Sequence, residues 1–500
     1  MRRFFRNQLL TLGLERPGLP AALLVLALLA LLLQYGLALG EYFRTTGAAL
    51  GYAYPLEYGE GPVLDQVLRL ARGETIYRPD LSGPPFTITA EPPLFRAVQV
   101  PFAWVFGPGY WYGRGIAVLG ALAAALFIGL TLFSLTRDWV SAAAGGLLLP
   151  VFPFVLYGSA LDRADTLALA FSWAGLYSVV RQPGQRRALI LAAVLFALAV
   201  YTRQTYFLAG PLAAAAWLAQ KRLLRHALAL LGLTAGICLG LFVVLNAVSG
   251  GGFSFNLFTA ASAAPFSWKI VAAHTFRLLP TLFYLVMGAL LFLIMERFGN
   301  RTETWPLVLP YFVGAALAAT FSGRATGGEQ AFIELAAALS LAAGAVTAWA
   351  GRYTWVKILL VLALAMQVGS LLNASRQEYI PQVLDRVNAQ SEVAEAARLA
   401  RESGGPLLAD EYMGLAPLAG EPIYFQPVEF KALAEAGLWD EDPLVEQIRR
   451  KTFPVILLYL PIDNSTLLVT RWSPAVRNAI WENYRLVDRL ASIYVYEAVR

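Results

Sequence analysis

The chain has 500 residues, of which 58% are hydrophobic and 14% charged, and its mean hydropathy is +0.57. This composition excludes an ordinary water-soluble globular protein. The net charge of +6 gives no sign of a nucleic-acid partner, because Lys and Arg cluster in short loops and not in a basic patch with exposed aromatics. One cysteine, Cys238, and two distant histidines, His226 and His274, exclude a disulfide framework and most thiolate or imidazole metal sites.

Apolar runs near the length that crosses a bilayer recur along the chain and predict about eleven membrane spans. The basic segment Met1–Arg6 resembles the start of a signal peptide, but the apolar run after it is too long, so we expect an uncleaved first span. A shorter run, Val98–Phe106, is predicted to be re-entrant or interfacial. The predicted spans are Leu19–Leu39, Ile116–Leu135, Val140–Leu156, Leu167–Val180, Ala188–Tyr201, Tyr206–Ala219, Ala227–Val248, Thr275–Met295, Leu307–Phe321, Phe332–Ala350 and Val356–Leu372.

The short-loop Lys and Arg residues fall on the same side as Arg2, Arg3 and Arg6. Positive charge in short loops marks the cytoplasmic side, so the sequence predicts a cytoplasmic N-terminus in the cytoplasmic (inner) membrane. The long first loop and the C-terminal segment are then extracytoplasmic, away from ATP and nucleotide sugars.

The first external loop, residues 41–110, contains a short amphipathic helix between Pro62 and Gly73. Its apolar residues recur at helical spacing, whereas Asp65, Gln66, Arg69 and Arg72 are predicted to face away from them. Glu57 and Glu60 precede this helix, whose N-terminus favours ionised carboxylates. Two charged carboxylates at a membrane surface can activate a hydroxyl group, but the same residues can simply cap the helix.

After Leu372 the sequence becomes charged, with amphipathic helical patterns at Ser391–Arg401 and Pro443–Lys451 and strands at Val455–Leu460 and Ser492–Tyr496. We therefore predict an all-α polytopic membrane domain, residues 1–372, and a small extracytoplasmic α/β domain, residues 373–500. Asp410 and Glu411, which follow a further strand, either bind an acceptor or form a solvated turn.

The first loop contains three motifs in order: Tyr58-Gly59-Glu60-Gly61, Leu70-Ala71-Arg72-Gly73 with Ile76-Tyr77, and Glu91-Pro92-Pro93-Leu94. They resemble those of the GT-C class of integral-membrane glycosyltransferases, in particular its mannosyltransferase-like members, the protein O-mannosyltransferases and the aminoarabinose transferase of lipid A. The resemblance implies a lipid-phosphate-linked sugar donor and an acidic general base in the first external loop. By position that base is Glu60, with Glu57 as the second choice, because the paired Asp-Glu of the class is Gly59-Glu60 here.

The segment Asp162-Arg163-Ala164-Asp165 lies between two predicted spans, where charges close to hydrocarbon suggest function. The class often has an Arg-x-Asp at this place, matched by Arg163 and Asp165. A catalytic role for Asp162 and Asp165, with Arg163 on the donor phosphate, competes with a structural ion pair between spans.

Arg203, in a polar break between two apolar runs, and Arg324 are the other candidates for binding the donor phosphate, since a guanidinium can stabilise a departing phosphate. An ordinary turn with a snorkelling Arg203 is the alternative. Tyr58, Gln204, Glu329 and Glu334 are predicted substrate-binding residues, although Glu334 lies inside a predicted span and can instead pair with an arginine.

The sequence thus predicts an inverting glycosyltransferase that moves a sugar from a polyprenyl-phosphate donor to a lipid, glycan or protein acceptor. Membrane lipids are its other expected partners. No cofactor is demanded, although Asp162 and Asp165 allow a divalent cation. The alternatives are a transporter or a flippase for lipid-linked sugars, which should carry ionisable groups near the membrane midplane, and a non-catalytic relative that binds lipid-linked sugars.

Overall fold

The computed structural model describes residues 18–298, 304–324, 328–350, 354–461 and 467–499. The basic N-terminal segment and residues 325–327 of the Arg324 loop lie outside this part. The helices of the membrane region are α1 (Leu19–Gly51), α2 (Glu60–Ala71), α3 (Leu94–Phe106), α4 (Trp111–Thr136), α5 (Trp139–Leu148), α6 (Pro153–Ala160), α7 (Asp165–Arg181), α8 (Arg186–Thr202), α9 (Ala209–Gln220), α10 (Leu224–Val248), α11 (Trp268–Phe298), α12 (Trp305–Ala319), α13 (Ile333–Trp349) and α14 (Thr354–Ala374).

Every predicted span is mainly helical, with Val140–Leu156 divided between α5 and α6, but the count of eleven spans is not confirmed. Seven helices of the described chain are long and apolar enough to cross a membrane, and the bent pair formed by α5 and α6 makes an eighth if it is one span. The other three predicted spans form α7, α8 and α9, of 17, 17 and 12 residues. Val98–Phe106, predicted to be too short to cross, belongs to the 13-residue helix α3.

The membrane helices share one apolar core, in which Trp173 of α7 is fully buried against Tyr311 of α12. By contrast, only 11% of the apolar stretch of α10 is buried inside the protein, and side chains such as Leu239 and Val244 are exposed. Such a helix is apolar all round because lipid, and not protein, covers most of it.

The C-terminal part contains a four-stranded sheet in the order β1-β2-β4-β3, where β1 is Leu408–Ala409, β2 Val455–Tyr459, β3 Tyr484–Leu490 and β4 Ile493–Ala498. β1 runs parallel to β2, whereas β4 is antiparallel to both β2 and β3. Its helices are α15 (Ile380–Asn388), α16 (Gln390–Glu402), α17 (Leu415–Leu418), α18 (Pro427–Glu435), α19 (Asp442–Arg449), α20 (Leu467–Arg471) and α21 (Pro474–Asn483). The predicted all-α polytopic fold with a small C-terminal α/β part is confirmed.

The first loop and the C-terminal part share a hydrophobic core. Phe86 of the loop is fully buried among aromatic side chains that include Phe430 and Trp439. Its backbone N–H donates to the carbonyl of Tyr424 at 2.7 Å, and its carbonyl accepts from the N–H of Gln426 at 3.1 Å. The loop is therefore fixed by the C-terminal part and not by the membrane helices alone.

Helix α2 is also covered by the C-terminal part, which corrects one prediction. Asp65, Gln66 and Arg69 do not face solvent but are buried. Asp65 accepts from the N–H of Ile423 in the C-terminal part, whereas Gln66 and Arg69 donate to Ile88 and Thr87 of the first loop itself. A Cβ on Gly61 would lie 2.8 Å from the backbone nitrogen of Gly414, so only glycine permits this close approach.

Candidate active site

Most of the predicted site residues meet at one cavity of about 440 Å³. The first loop, the α6–α7 and α8–α9 connections, the end of α12 and the C-terminal part enclose it. Its charged lining residues are Glu57, Glu91, Arg96, Asp162, Arg163, Arg203, Arg324, Glu429 and Arg471. Five arginines against four carboxylates give the lining an excess of positive charge, which suits a phosphate-bearing ligand.

Glu57 lies just before α2 and faces the cavity. Arg163 holds both of its oxygens, with Nε 2.6 Å from Oε1 and Nη2 2.7 Å from Oε2. Burial raises the pKa of Glu57, and the charge of Arg163 opposes this rise. The carboxylate is therefore a stronger base than a free glutamate while it keeps a counter-ion beside it.

Glu60, the first choice for the base from the sequence, is fully buried and does not line the cavity. Its carboxylate accepts four hydrogen bonds: two from Arg114 at 2.8 and 2.7 Å, and one each from the backbone N–H groups of Leu56 and Asp162. No lone pair is left to accept a proton from a substrate in this arrangement. The geometry gives Glu60 a structural position, and Arg114, near the start of α4, is its partner.

Sequence reasoning missed Arg114, although an arginine two residues before the predicted span Ile116–Leu135 was a signal for it. Its guanidinium also donates to the carbonyls of Ala49, Tyr52 and Tyr54, at 2.7, 2.6 and 2.7 Å. These contacts tie the end of α1 to the start of α4. Arg114 thus fixes the segment from which Glu57 projects.

Asp162 lines the cavity floor and is fully buried. Its Oδ1 accepts from the amide of Gln99 at 2.9 Å, and its Oδ2 has no hydrogen-bond partner. Burial, reinforced by the charge of Glu60, raises the pKa of Asp162 well above its ordinary value. A Cβ on Gly113 would overlap the Asp162 carboxylate, at 1.9 Å from Oδ1, so the small residue in α4 makes room for it.

Glu91 joins the two arginines Arg96 and Arg203, at 2.9 and 2.5 Å. Burial raises the pKa of Glu91, but the charges of Arg203 and Arg96 outweigh it and lower the pKa to about 2. The sequence motif that contains Glu91 was recognised without a role for this residue. Because two arginines hold it ionised, Glu91 is suited to orienting them and not to accepting a proton.

Arg203 also binds Asp165, with Nε 2.8 Å from Oδ1. This predicted phosphate ligand thus lines the cavity between two carboxylates. Asp165 keeps Oδ2 without a hydrogen-bond partner. In the described residues no three His, Cys, Asp or Glu side chains are grouped as a metal site, and Asp165 is bound to an arginine.

Among the described residues, Arg324 is the cavity arginine whose positive charge is least neutralised by a carboxylate. Its Nη1 donates to the carbonyl of Ala261 at 3.0 Å, and no carboxylate of the described residues lies at ion-pair distance from it. Gln204 lines the same cavity, where its amide donates to the carbonyl of Ala90 at 2.9 Å and its Oε1 remains without a partner.

The C-terminal part contributes three polar side chains that sequence reasoning missed: Gln426, Glu429 and Arg471. Glu429 accepts a short hydrogen bond from the hydroxyl of Tyr58, a predicted substrate-binding residue that also lines the cavity. Arg471 lies over the ring of Tyr58, 5.4 Å from its centroid. No local pattern could have indicated these residues, because only the packing of distant segments brings them here.

Asp410 and Glu411 do not form the solvated turn that was one of the two alternatives. Both are buried, because Arg471 lies against them and pairs with Glu411 at 2.5 Å. Arg386 of α15 holds the other oxygen of Glu411 at 2.8 Å.

Glu329 and Glu334 are not brought to the cavity with the other predicted residues. Glu329 pairs with Arg277 at 3.0 Å and accepts a short hydrogen bond from Tyr379. Glu334, in the first turn of α13, is 2% exposed and neither of its oxygens has a hydrogen-bond partner. The alternative that Glu334 pairs with an arginine is therefore not seen among the described residues.

The chain matches solved structures over nearly its whole length. ArnT from Cupriavidus metallidurans, solved with undecaprenyl phosphate, superposes with a TM-score of 0.59 at 15% identity, over 94% of this chain and 98% of that one. The archaeal oligosaccharyltransferase AglB from Archaeoglobus fulgidus, solved with an inhibitory peptide and a dolichol-phosphate, gives a TM-score of 0.52 at 11% identity, over 91% and 74%. No family model and no curated protein sequence matches the chain.

The chain thus has the fold of the GT-C class of integral-membrane glycosyltransferases, as the sequence motifs predicted. At this level of identity the similarity concerns the fold, so the activity has to be argued from the side chains of the cavity.

Proposed function

We propose that the protein is an inverting glycosyltransferase that moves a sugar from a polyprenyl-phosphate donor to an acceptor hydroxyl. The observation that carries this proposal is that one cavity is lined both by Glu57, a carboxylate with a raised pKa, and by Arg324, a guanidinium that pairs with no carboxylate of the described residues. The solved structures of the same fold contain undecaprenyl phosphate or a dolichol-phosphate, which supports a donor of this class.

In the proposed reaction, Glu57 takes the proton of the acceptor hydroxyl as the oxygen attacks the anomeric carbon of the donor sugar. The bond between that carbon and the phosphate oxygen breaks on the opposite face, and the polyprenyl phosphate leaves with the electron pair. A phosphate needs no protonation to leave, so one base and a cationic site suffice. Arg324 binds the phosphate first, with Arg203 and Arg163 nearby.

This assignment moves the base from Glu60 to Glu57, the second choice from the sequence. Glu60 and Arg114 then act as positioning residues behind the site. Asp162 remains a candidate for orienting the acceptor, because it lines the cavity and its Oδ2 has no partner among the described residues. Asp165 also keeps Oδ2 without a partner among them, but it is not one of the lining residues and is bound to Arg203.

The proposed location is the cytoplasmic membrane, with the cavity and the C-terminal part on the extracytoplasmic side. The positive-inside pattern of the sequence supports this orientation. A transporter or flippase is the less favoured function, because the charged residues that meet in the structure gather at one cavity beside the first loop. Transporter sites instead lie near the midplane.

The test is transfer by the full-length protein in proteoliposomes supplied with a panel of synthetic undecaprenyl-phosphate sugars and a panel of lipid, glycan and peptide acceptors. The readout is undecaprenyl phosphate released, measured by mass spectrometry. We expect Glu57→Gln to lower the rate by about 10²-fold or more, the usual contribution of a general base. Glu74→Gln is the matched control, because Glu74 is exposed and pairs with Arg72 away from the cavity.

If the Glu57→Gln protein still binds undecaprenyl phosphate, its loss of activity is a loss of chemistry and not of binding. Wild-type protein that moves labelled lipid across the bilayer without releasing undecaprenyl phosphate would instead identify a flippase and reject the transferase.

A further inference from the structure

A second cavity, of about 340 Å³, lies between α15, α16 and the sheet of the C-terminal part. We propose that this second cavity binds the acceptor, and that the acceptor is a glycan whose reacting sugar is uncharged or carries an amine, without a phosphate. The proposal rests on the proposed transferase function and names the substrate that this function leaves open.

The second cavity shares a wall with the first. Leu56 lines the second cavity and its chain neighbour Glu57 lines the first, so the proposed base is part of the partition. The ion pair between Glu411 and Arg471 crosses the same partition, since Glu411 lines the second cavity and Arg471 the first. The proposal therefore places the glycan end beside this partition, next to the segment that carries Glu57.

Tyr157 marks the same boundary. Its side chain lines the second cavity, and its hydroxyl interacts electrostatically with Glu57 and Arg163 of the first cavity as well as with Glu411 and Arg386 of the second. A phenol at this place can donate to or accept from a sugar hydroxyl, and its ring offers an apolar face.

The charge of the second cavity is opposite to that of the first. Its lining contains the carboxylates of Asp385, Glu392 and Glu411 against a single arginine, Arg386. Arg386 is already engaged by Glu411 at 2.8 Å and by the hydroxyl of Tyr412 at 2.6 Å. Among the described residues, no cation pairs with Asp385 or Glu392, which leaves net negative charge facing the ligand.

An acidic lining of this kind repels a phosphate and attracts an ammonium, while carboxylates also accept hydrogen bonds from sugar hydroxyls. The polyprenyl phosphate therefore belongs in the arginine-rich first cavity, and a glycan without phosphate in the second. The two ligands are separated by charge before they meet at Glu57.

The test measures ligand binding by the full-length protein in nanodiscs, with undecaprenyl phosphate for the first cavity. For the second cavity the probes are a glucosamine trisaccharide, maltotriose and glucose 6-phosphate. The variants are the double change Asp385→Asn with Glu392→Gln, which removes the unpaired charge, and Ala389→Phe, which fills the cavity. Glu395→Gln is the control, since Glu395 lies on α16 outside the cavity and pairs with Arg398.

We expect the glucosamine trisaccharide to bind more tightly than maltotriose, and glucose 6-phosphate least. The double variant should weaken binding of the glucosamine trisaccharide about fivefold, in line with partly exposed ion pairs, and change maltotriose little. Ala389→Phe should weaken both trisaccharides, whereas undecaprenyl phosphate binding and the Glu395→Gln control should stay as in the wild type.

The acceptor assignment would be overturned, with the transferase left in place, by either of two results. One is trisaccharide binding that is unchanged in all variants, and the other is tighter binding of glucose 6-phosphate than of the glucosamine trisaccharide. A wild-type protein that does not bind undecaprenyl phosphate at all would remove the transferase, and the acceptor role with it.

Discussion

Arg114 and Glu60 form an ion pair in which neither side chain is accessible to solvent, with the closest oxygen and nitrogen 2.7 Å apart. A pair enclosed in this way stabilises little in comparison with apolar residues, but losing one partner leaves a buried charge without compensation. The two glutamates of the first loop therefore have different tasks, and different measurements distinguish them.

Glu60→Gln is expected to destabilise the protein by about 3–5 kcal/mol, the usual cost of breaking a buried ion pair. Thermal unfolding of the purified protein, followed by tryptophan fluorescence, measures this. Glu57→Gln should change stability much less, because Glu57 and Arg163 are 14% and 23% exposed. A Glu60→Gln protein that unfolds like the wild type but transfers no sugar would return the role of base to Glu60.

Arg324→Gln is expected to weaken binding of undecaprenyl phosphate about tenfold, because a charge-assisted contact to a phosphate would be lost. Titration of the reconstituted protein with undecaprenyl phosphate gives the Kd. Arg376→Gln is the control, since Arg376 is exposed and pairs with Glu41 away from the cavity. Equal loss in both variants would show a general charge effect and contradict a phosphate site at Arg324.

The rate of transfer should fall on acidification at a higher pH than the ordinary glutamate pKa of 4.5, because burial raises the pKa of Glu57. The base acts only when ionised, so activity is lost as the pH falls through the raised value. Arg163→Gln removes the charge that opposes the rise and should move this limb to still higher pH. The rate of transfer measured against pH for the wild type and Arg163→Gln tests this. If the acidic limb lies at the same pH in both proteins, a group other than Glu57 controls it.

Glu91 should make stability fall on acidification as well, but at a lower pH than the loss of activity attributed to Glu57. Its folded pKa of about 2 lies below the ordinary 4.5, so ionised Glu91 stabilises the protein above pH 4.5 and this contribution disappears as the pH falls towards 2. Glu91→Gln should therefore lower the unfolding temperature at neutral pH and differ progressively less from the wild type in acid. A difference in unfolding temperature between Glu91→Gln and the wild type that stays constant with pH would exclude this charge effect.

The membrane part of the fold was largely predictable, because an apolar run in a bilayer has to become a helix. Each predicted span is mainly helical, one of them as the bent pair α5 and α6, and the three short runs that became α7, α8 and α9 are the ones not counted as spans. In the C-terminal part, Val455–Tyr459 is apolar throughout and was predicted, whereas β3 reads YRLVDRL and has five consecutive exposed residues. An exposed edge strand has no apolar alternation to reveal it.

The site was predictable only in part, for a similar reason. Asp162, Arg163 and Arg203 were predicted because charges beside apolar runs are conspicuous, and Glu57 because it precedes an amphipathic helix; all four line the cavity. Glu429 and Arg471 could not be found, since an ordinary charged surface residue and a cavity residue look alike in sequence. The order of preference between Glu57 and Glu60 depended on Arg114, whose partner only the tertiary structure reveals.

The burial of Phe86 in the C-terminal core has a consequence for biosynthesis. Ile88 and Gln426, which hydrogen-bond at this junction, are 338 residues apart. The loop that carries Glu57 is thus made early but cannot reach its final shape until the last quarter of the polypeptide has left the ribosome. Until then the nascent protein has an unfinished cavity, so under the proposed function a chain halted part-way through synthesis would not consume lipid-linked sugar.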